Sequence, residues 1–568
     1  MRRTFVFWGL VLAAALLAWS FLARTPSRTV YVGESILTMD SDDRVVSGLG
    51  VEDNRIAAVG TEEDVRAWGG PDARVVLLGE RAVLPGFIDA HGHFPGAGIY
   101  TMAVNLNSPP IGTIEAIDDL KARLRERAAT IPEGEWVLGL SYDDTLLKEK
   151  RHPTRSELDD VSSQHPIGIV HVSGHLGVAN SMALEKLGFH EDTPDPPGGR
   201  LRRDSATGNL NGLLEENAAT PLFTEAMGDL GIVNGMGMAR EAGRIYAENG
   251  VTTAQSGNTE GGLIDGLHIL SRLGLLRLRL VIWPDMATAD EMLAGTWSFE
   301  SYDDEWVKLG AVKLIADGSI QGYTGYLTEP YFVPPEDDAT YRGYPRIEKD
   351  ELVERVSQYH GSGLQVAIHG NGDAAIDDIL DALETAQDRD AREDSRPIII
   401  HAQMARNDQL DRMATLGAIP SFFVLHTYYW GDRHRDLFMG PERAARMSPA
   451  ASASQRDIPF TLHADSPIVP MEPLRIVWSA VNRRSTSGAE IGPGERIDPM
   501  RALRGVTIDA ARQHFEENEK GSLEVGKLAD LVILSRSPLE DPGSIDEIRV
   551  LETIVGGETI YRSEDAGS

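Results

Sequence analysis

Two histidines spaced i and i+2, His91 and His93, close the apolar run Leu84-Pro85-Gly86-Phe87-Ile88-Asp89-Ala90. On a β-strand that spacing turns both imidazoles to one face, where they can share a metal ion, although a solvated or core His-x-His pair has the same spacing. Single histidines recur at the ends of later apolar runs: His369 follows Gln365-Val366-Ala367-Ile368, and His401 follows Pro397-Ile398-Ile399-Ile400. Asp465 closes Phe460-Thr461-Leu462-His463-Ala464. Metal-ligand residue types therefore stand at several strand ends. Lys313 lies within Ala311-Val312-Lys313-Leu314-Ile315-Ala316, where an ammonium group must lose its proton or find an anion. Carbamylation by carbon dioxide, which would make it an anionic bridge between two metals, and an ion pair with Asp317 both answer that need. The chain has no cysteine, so a metal would be held by His, Asp, Glu or a modified Lys.

The elements that must position these groups alternate. Apolar strand-like runs are separated by charged helix-like stretches, the pattern of parallel β/α units. Candidate strands at 83–91, 250–255, 277–283, 309–316, 364–369, 397–402, 417–422 and 458–465 number eight, as a closed β/α barrel requires. In such a barrel, catalytic groups project from the C-terminal strand ends, where these residues fall. The expected fold is α/β: a (β/α)8 TIM-like metallohydrolase barrel over 83–519, with an insertion at about 100–240 after strand 1 that covers the site. Short β-like runs at both ends, 26–82 and 520–568, are expected to pack together as one small β-sandwich.

Residues 1–25 stand apart from this fold. Arg2 and Arg3 precede an apolar run from Phe5 to Ala23, which reads as a membrane anchor or a signal peptide. The positive flank places the body outside the cytoplasm, exported or periplasmic, with membrane contact only through this segment. A formal net charge of −33 argues against a nucleic-acid partner, whose phosphates such a field would repel. A small-molecule substrate is the expected partner.

The motifs resemble the amidohydrolase superfamily of metal-dependent hydrolases, in its amidohydrolase-3 branch, and are similar to those of N-substituted formamide deformylases. The resemblance is carried by Leu84 to His93, by Ser173-Gly174-His175 through Asn180 to Leu184, and by Pro197-Gly198-Gly199 leading to Asn211 to Glu215. Lys313 to Ser319, Glu329-Pro330-Tyr331, His369 to Asp373, His401-Ala402-Gln403, Ala464 to Pro467 and Gly521 to Leu531 continue it. It implies that His91, His93 and Asp465 hold one metal, that His369 and His401 hold a second, and that a carboxylated Lys313 bridges them. Zinc is the default for such N/O sites, one or two per chain. It also implies hydrolysis of a non-peptide carbon–nitrogen bond, amide or formamide, by metal-activated water, with Asp465 as general base and then acid. An ester, lactone or carbamate substrate, and a non-catalytic binding protein on the same barrel, are the alternatives. A homodimer is expected by analogy alone.

Further contacts are expected around that core. Asp89 and Asp373 are candidates to orient imidazoles from behind. His175, His426 and His463 are candidates to meet the substrate, with Trp430 as an aromatic wall, and Arg483 and Arg484 could bind a carboxylate. Ser173 stands where the family commonly has an aspartate two residues before His175, so its substrate preference does not simply transfer.

Overall fold

The computed structural model describes residues 28–228, 231–298, 305–335 and 338–567. The apolar segment read as an anchor or signal peptide lies outside the described residues; among those described, no helix is long and apolar enough to cross a membrane.

Eight parallel strand positions form the barrel. Strand 1 is Phe87–Ile88, strand 2 Val251–Thr259, strand 3 Arg279–Pro284, and strand 4 is split into Val307–Leu309 and Val312–Ile315. Strands 5 to 8 are Val366–Gly370, Ile398–His401, Ile419–Phe422 and Thr461–Leu462. The split divides the ladder into a four-stranded and a five-stranded sheet. At the C-terminal rim the ring closes when Asp465 N–H donates to His91 O at 3.2 Å and His93 N–H donates to Ser466 O at 2.7 Å.

Strands buried on both faces need apolar side chains all along, and Ile398, Ile399 and Ile400 meet this requirement. Alternate residues fill the barrel interior: Val281, Trp283, Ala311, Ala367, Ile398 and Ile400 form one buried cluster. The others pack outward on helices. Helix Asp373–Arg389 shows why these form, since Ala375, Ile376, Ile379, Leu380, Leu383 and Ala386 repeat at helical spacing and are all buried. Burying such a leucine or isoleucine contributes about 1.5–3 kcal/mol.

The insertion carries its own six-stranded sheet, between Val104–Asn105 and Leu210–Glu216, and two apolar clusters of its own. The strands of the two chain ends pair directly, because Leu531–Leu534 runs antiparallel to Ala82–Pro85 in one eight-stranded sheet. The run at 83–91 is thus shared: its first half belongs to the end sheet, and the barrel strand begins at Phe87. Arg279, at the start of strand 3, ties the two bodies by a buried bidentate pair with Asp530 at 2.7 and 3.1 Å.

Candidate metal centre

Strand 1 ends at Ile88, so His91 and His93 do not sit on a strand face; they lie in the bend beyond it. Their convergence has another cause. Gln255 of strand 2 accepts the Gly92 N–H at 2.8 Å, and the same oxygen meets His91 Nδ1 at 3.1 Å. Because the peptide N–H can only donate, that oxygen is an acceptor, and His91 must carry its proton on Nδ1. His93 Nδ1 likewise meets the Gly257 carbonyl at 3.0 Å. Both rings therefore present bare Nε2 atoms, which lie 3.4 and 3.2 Å from Asp465 Oδ1. The close approach requires glycine at 257, where a Cβ would stand 2.7 Å from His91 Cε1.

Across the rim, strands 5 and 6 bring the His369 and His401 rings to 4.5 Å. His401 Nε2 lies 3.9 Å from Asp465 Oδ2, so this carboxylate faces both histidine pairs. Lys313 is buried, with Nζ 3.0 Å from His91 Nε2. Burial pushes its pKa down to about 7 against the opposing pull of Asp465. Burial first, and then Lys313 with neighbouring imidazoles, hold His91, His369 and His401 well below the ordinary histidine range. They are neutral, the form in which imidazole binds a metal. Burial works to raise the Asp465 carboxyl, but His93, His463 and Lys313 around it hold it at about 2.

The sequence matches the amidohydrolase family model over residues 74–561. The chain belongs to the amidohydrolase family. It is 30% identical to the N-substituted formamide deformylase of Arthrobacter pascens over 94% of this chain and 98% of that one. It is also 25% identical to a putative amidohydrolase, YtcJ, of Bacillus subtilis, over 94% of this chain and 99% of the other. Among solved structures, an uncharacterized metal-dependent hydrolase from Pyrococcus horikoshii superposes with a TM-score of 0.72 at 25% identity, covering 91% of this chain and 99% of its own.

The donor set of this amidohydrolase fits a divalent metal. Asp465 Oδ1 and His369 Nδ1 are buried without a hydrogen-bond partner, an expensive state that a cation would relieve. His91, His93 and Asp465 lie together as one three-ligand group, and His369, His401 and Lys313 adjoin it.

The candidates around the ligands divide. His175, delivered by the insertion, lies with its ring 4.9 Å from His369 and its Nδ1 2.8 Å from Glu216. His426 is buried against Phe423 and Trp430 at ring distances of 4.3 and 5.8 Å, and lies 6.1 Å from the His401 ring. His463 does not line an open face: it is fully buried between His401 and Ser421. Asp89 touches neither imidazole by hydrogen bond and accepts from Tyr246 OH at 3.0 Å; Gln255 does the orienting instead. Asp373 opens a helix and pairs with Thr328 and Arg406. The carboxylate beside His369 is Asp317, 3.2 Å from Nδ1, which accepts the backbone N–H groups of Tyr326, Asn371 and Gly372. With those donors Asp317 forms no ion pair with Lys313. Arg483 is fully buried and donates to the carbonyls of Ile491, Ser448 and Met447, so it clamps loops instead of binding a carboxylate.

Sequence reasoning missed Gln255, Glu216 and Trp283, which stacks on His91 at 5.3 Å and 10°. It singled out Asp317, but as a partner for Lys313 and not for His369.

Proposed function

We propose that the protein hydrolyses the carbon–nitrogen bond of a small amide or formamide, using one or two zinc ions held by His91, His93, Asp465, His369 and His401, with Lys313 N-carboxylated between them. The observation that carries this reading is the convergence of five metal-ligand side chains, from four separate parts of the chain, around a buried lysine. A purely binding role would not need that set. A bound divalent metal would supply a Lewis acid for the carbonyl and a lowered pKa for water at neutral pH.

The chain's own groups do the rest. Asp465, ionised and facing both histidine pairs, takes a proton from the attacking water and passes it to the leaving nitrogen. Lys313, whose pKa burial lowers to about 7, is about half neutral at pH 7, and that form has the free electron pair that condensation with carbon dioxide needs. His175 is held by Glu216 through Nδ1, which leaves its Nε2 for the substrate. The resemblance to the formamide deformylase favours a compact N-acyl group at the reacting centre. The body is proposed to work outside the cytoplasm, on the strength of Arg2 and Arg3 before the apolar run at 5–23.

The test is elemental analysis of the protein after expression with zinc and bicarbonate, followed by a panel of N-substituted formamides, amides, esters and lactones. Bound metal with release of amine from the formamides or amides supports the reading. A loaded protein that cleaves only the esters or lactones overturns the bond assignment, and a protein that binds no metal overturns the hydrolase.

A further inference from the structure

We propose that the cavity between the insertion and the segment after barrel strand 7 binds a small carboxylate with a short aromatic or apolar body. The cavity holds about 250 Å³. Ser108, Asp143 and Lys150 of the insertion line one side, and Trp430 and Arg433 come from the barrel. None of the side chains assigned to the metal centre lines it, so this site stands apart from the proposed hydrolysis. Three features of the lining point to a ligand. The Ser108 hydroxyl is buried without a hydrogen-bond partner, a costly state that a bound acceptor would relieve. Ser141 and Lys150, both on the wall, adopt φ +72° and φ +52°, and left-handed backbone at non-glycine residues gathers where ligands are held. Lys150 Nζ donates to the Thr145 carbonyl at 2.6 Å and, among the described residues, meets no carboxylate. Its charge and two of its three N–H bonds remain for a guest.

The class of guest follows from what the walls have already matched. Asp143 Oδ2 accepts from Arg433 Nη1 at 2.6 Å and from Trp430 Nε1 at 3.2 Å, while its Oδ1 accepts the Thr145 N–H at 3.0 Å and the Thr145 hydroxyl at 2.6 Å. Asp432 accepts from Ser487 Oγ at 3.0 Å and pairs with Arg435 at 3.2 Å. Both anions are thus satisfied, and Asp143 neutralises the Arg433 charge. What remains is one ammonium and one hydroxyl proton, both donors, so the incoming group is an acceptor with a single negative charge. A carboxylate has two oxygens, one for Lys150 and one for Ser108, and such charge-assisted hydrogen bonds are the strong ones. Pro109, Pro110, Ile111 and Leu146, with Tyr429 and Trp430, give the rest of the guest apolar and aromatic surface. A dry cavity of about 150 Å³ takes benzene, so the space here suits one ring and its carboxylate.

The test titrates the full-length protein with para-fluorobenzoate, followed by fluorine NMR, once after chelator treatment and once with zinc. One site per chain, with the same Kd in both conditions, is expected. Lys150→Met and Ser108→Ala should each weaken binding about 10–100-fold, and para-fluorobenzamide, the uncharged match, should bind wild type weaker by a similar factor. Lys148→Met, at an exposed lysine that does not line the cavity, should bind the carboxylate as wild type does. Ser108→Ala removes only a hydroxyl without a partner, so this variant should keep the wild-type circular dichroism and melting temperature, which separates a lost contact from a lost fold. Absence of binding to wild type overturns the proposal. Binding that requires zinc overturns it too, because it places the carboxylate at the metal centre. An affinity that Lys150→Met and Ser108→Ala leave unchanged, or an equal loss in Lys148→Met, shows general attraction to surface charge and overturns it as well.

Discussion

Replacing Lys313 with methionine isolates the most costly group in the centre. Methionine matches the lysine in length and leaves no charge beside His91, whose Nε2 lies 3.0 Å from Nζ. In the metal-free protein the folded-state pKa of Lys313 is about 7, against an ordinary 10.5. Between those values the unfolded chain binds a proton that the folded chain does not, so stability rises with pH across this window and is lost as pH falls through it. From pH 7.5 to 9.5 the difference integrates to a gain of about 2–3 kcal/mol from this side chain alone, at about 1.36 kcal/mol for each pKa unit. Asp317, which burial raises to about 8, works the other way over the same range, since its folded form releases a proton that the unfolded form has already lost. Both proteins contain Asp317, so its contribution cancels in their difference. The assay is urea unfolding of chelator-treated wild type and Lys313→Met at pH 7.5 and 9.5. Wild type should gain about 2–3 kcal/mol more than the variant over that interval, and the variant should be the more stable at pH 7.5. Parallel pH dependence in the two proteins would show that Lys313 titrates normally, and would remove the neutral amine on which its carboxylation depends.

Other outcomes test the site and its frame. Gln255→Leu leaves the Gly92 N–H and His91 Nδ1–H without acceptors in a buried setting, at about 1–3 kcal/mol each in urea unfolding, with about 10–100-fold weaker metal binding. Asp465→Asn should lower kcat on a cleaved substrate by about 10²–10⁴-fold, measured at matched metal content so that loss of the base is separated from loss of a ligand. Arg279→Met strands Asp530 in the seam between end sheet and barrel and should cost about 3–5 kcal/mol in urea unfolding, whereas Arg277→Met, at an exposed ion pair with Glu558, should change little.

The frame was legible because apolar runs buried on both faces leave a strong pattern, and five of the metal-ligand candidates stood at the ends of those runs. The partners of the ligands were not legible. Gln255 meets His91 across 164 residues, and Asp317 meets the Asn371 N–H across 54. Such pairs are set by ladder register, which a single sequence does not display. Nearness in sequence misled at Asp89 and Asp373. The first lies beside the histidines but turns to Tyr246 on helix Gly231–Glu248, and the second begins a helix, where the N-terminal dipole and Thr328 hold it.

His401 shows a limit of pattern reading that has a physical remedy in the chain. In strand 6, Ile398 and Ile400 fill the barrel interior and Ile399 packs outward, so strict alternation would turn His401 outward, away from the metal centre. Its backbone instead adopts φ +68°, followed by φ +43° at Ala402, and this breaks the alternation and turns the ring inward beside His369. Left-handed backbone at a non-glycine residue costs about 1–3 kcal/mol and persists only where its surroundings over-determine it. Here the surroundings are the paired strand, with Gly370 and Phe422 flanking His401 in register, and the contact of its Nδ1 with His463 Nε2 at 3.2 Å. The same residue thus carries backbone strain and a side-chain brace, which is the expected signature of a group held for chemistry instead of packing.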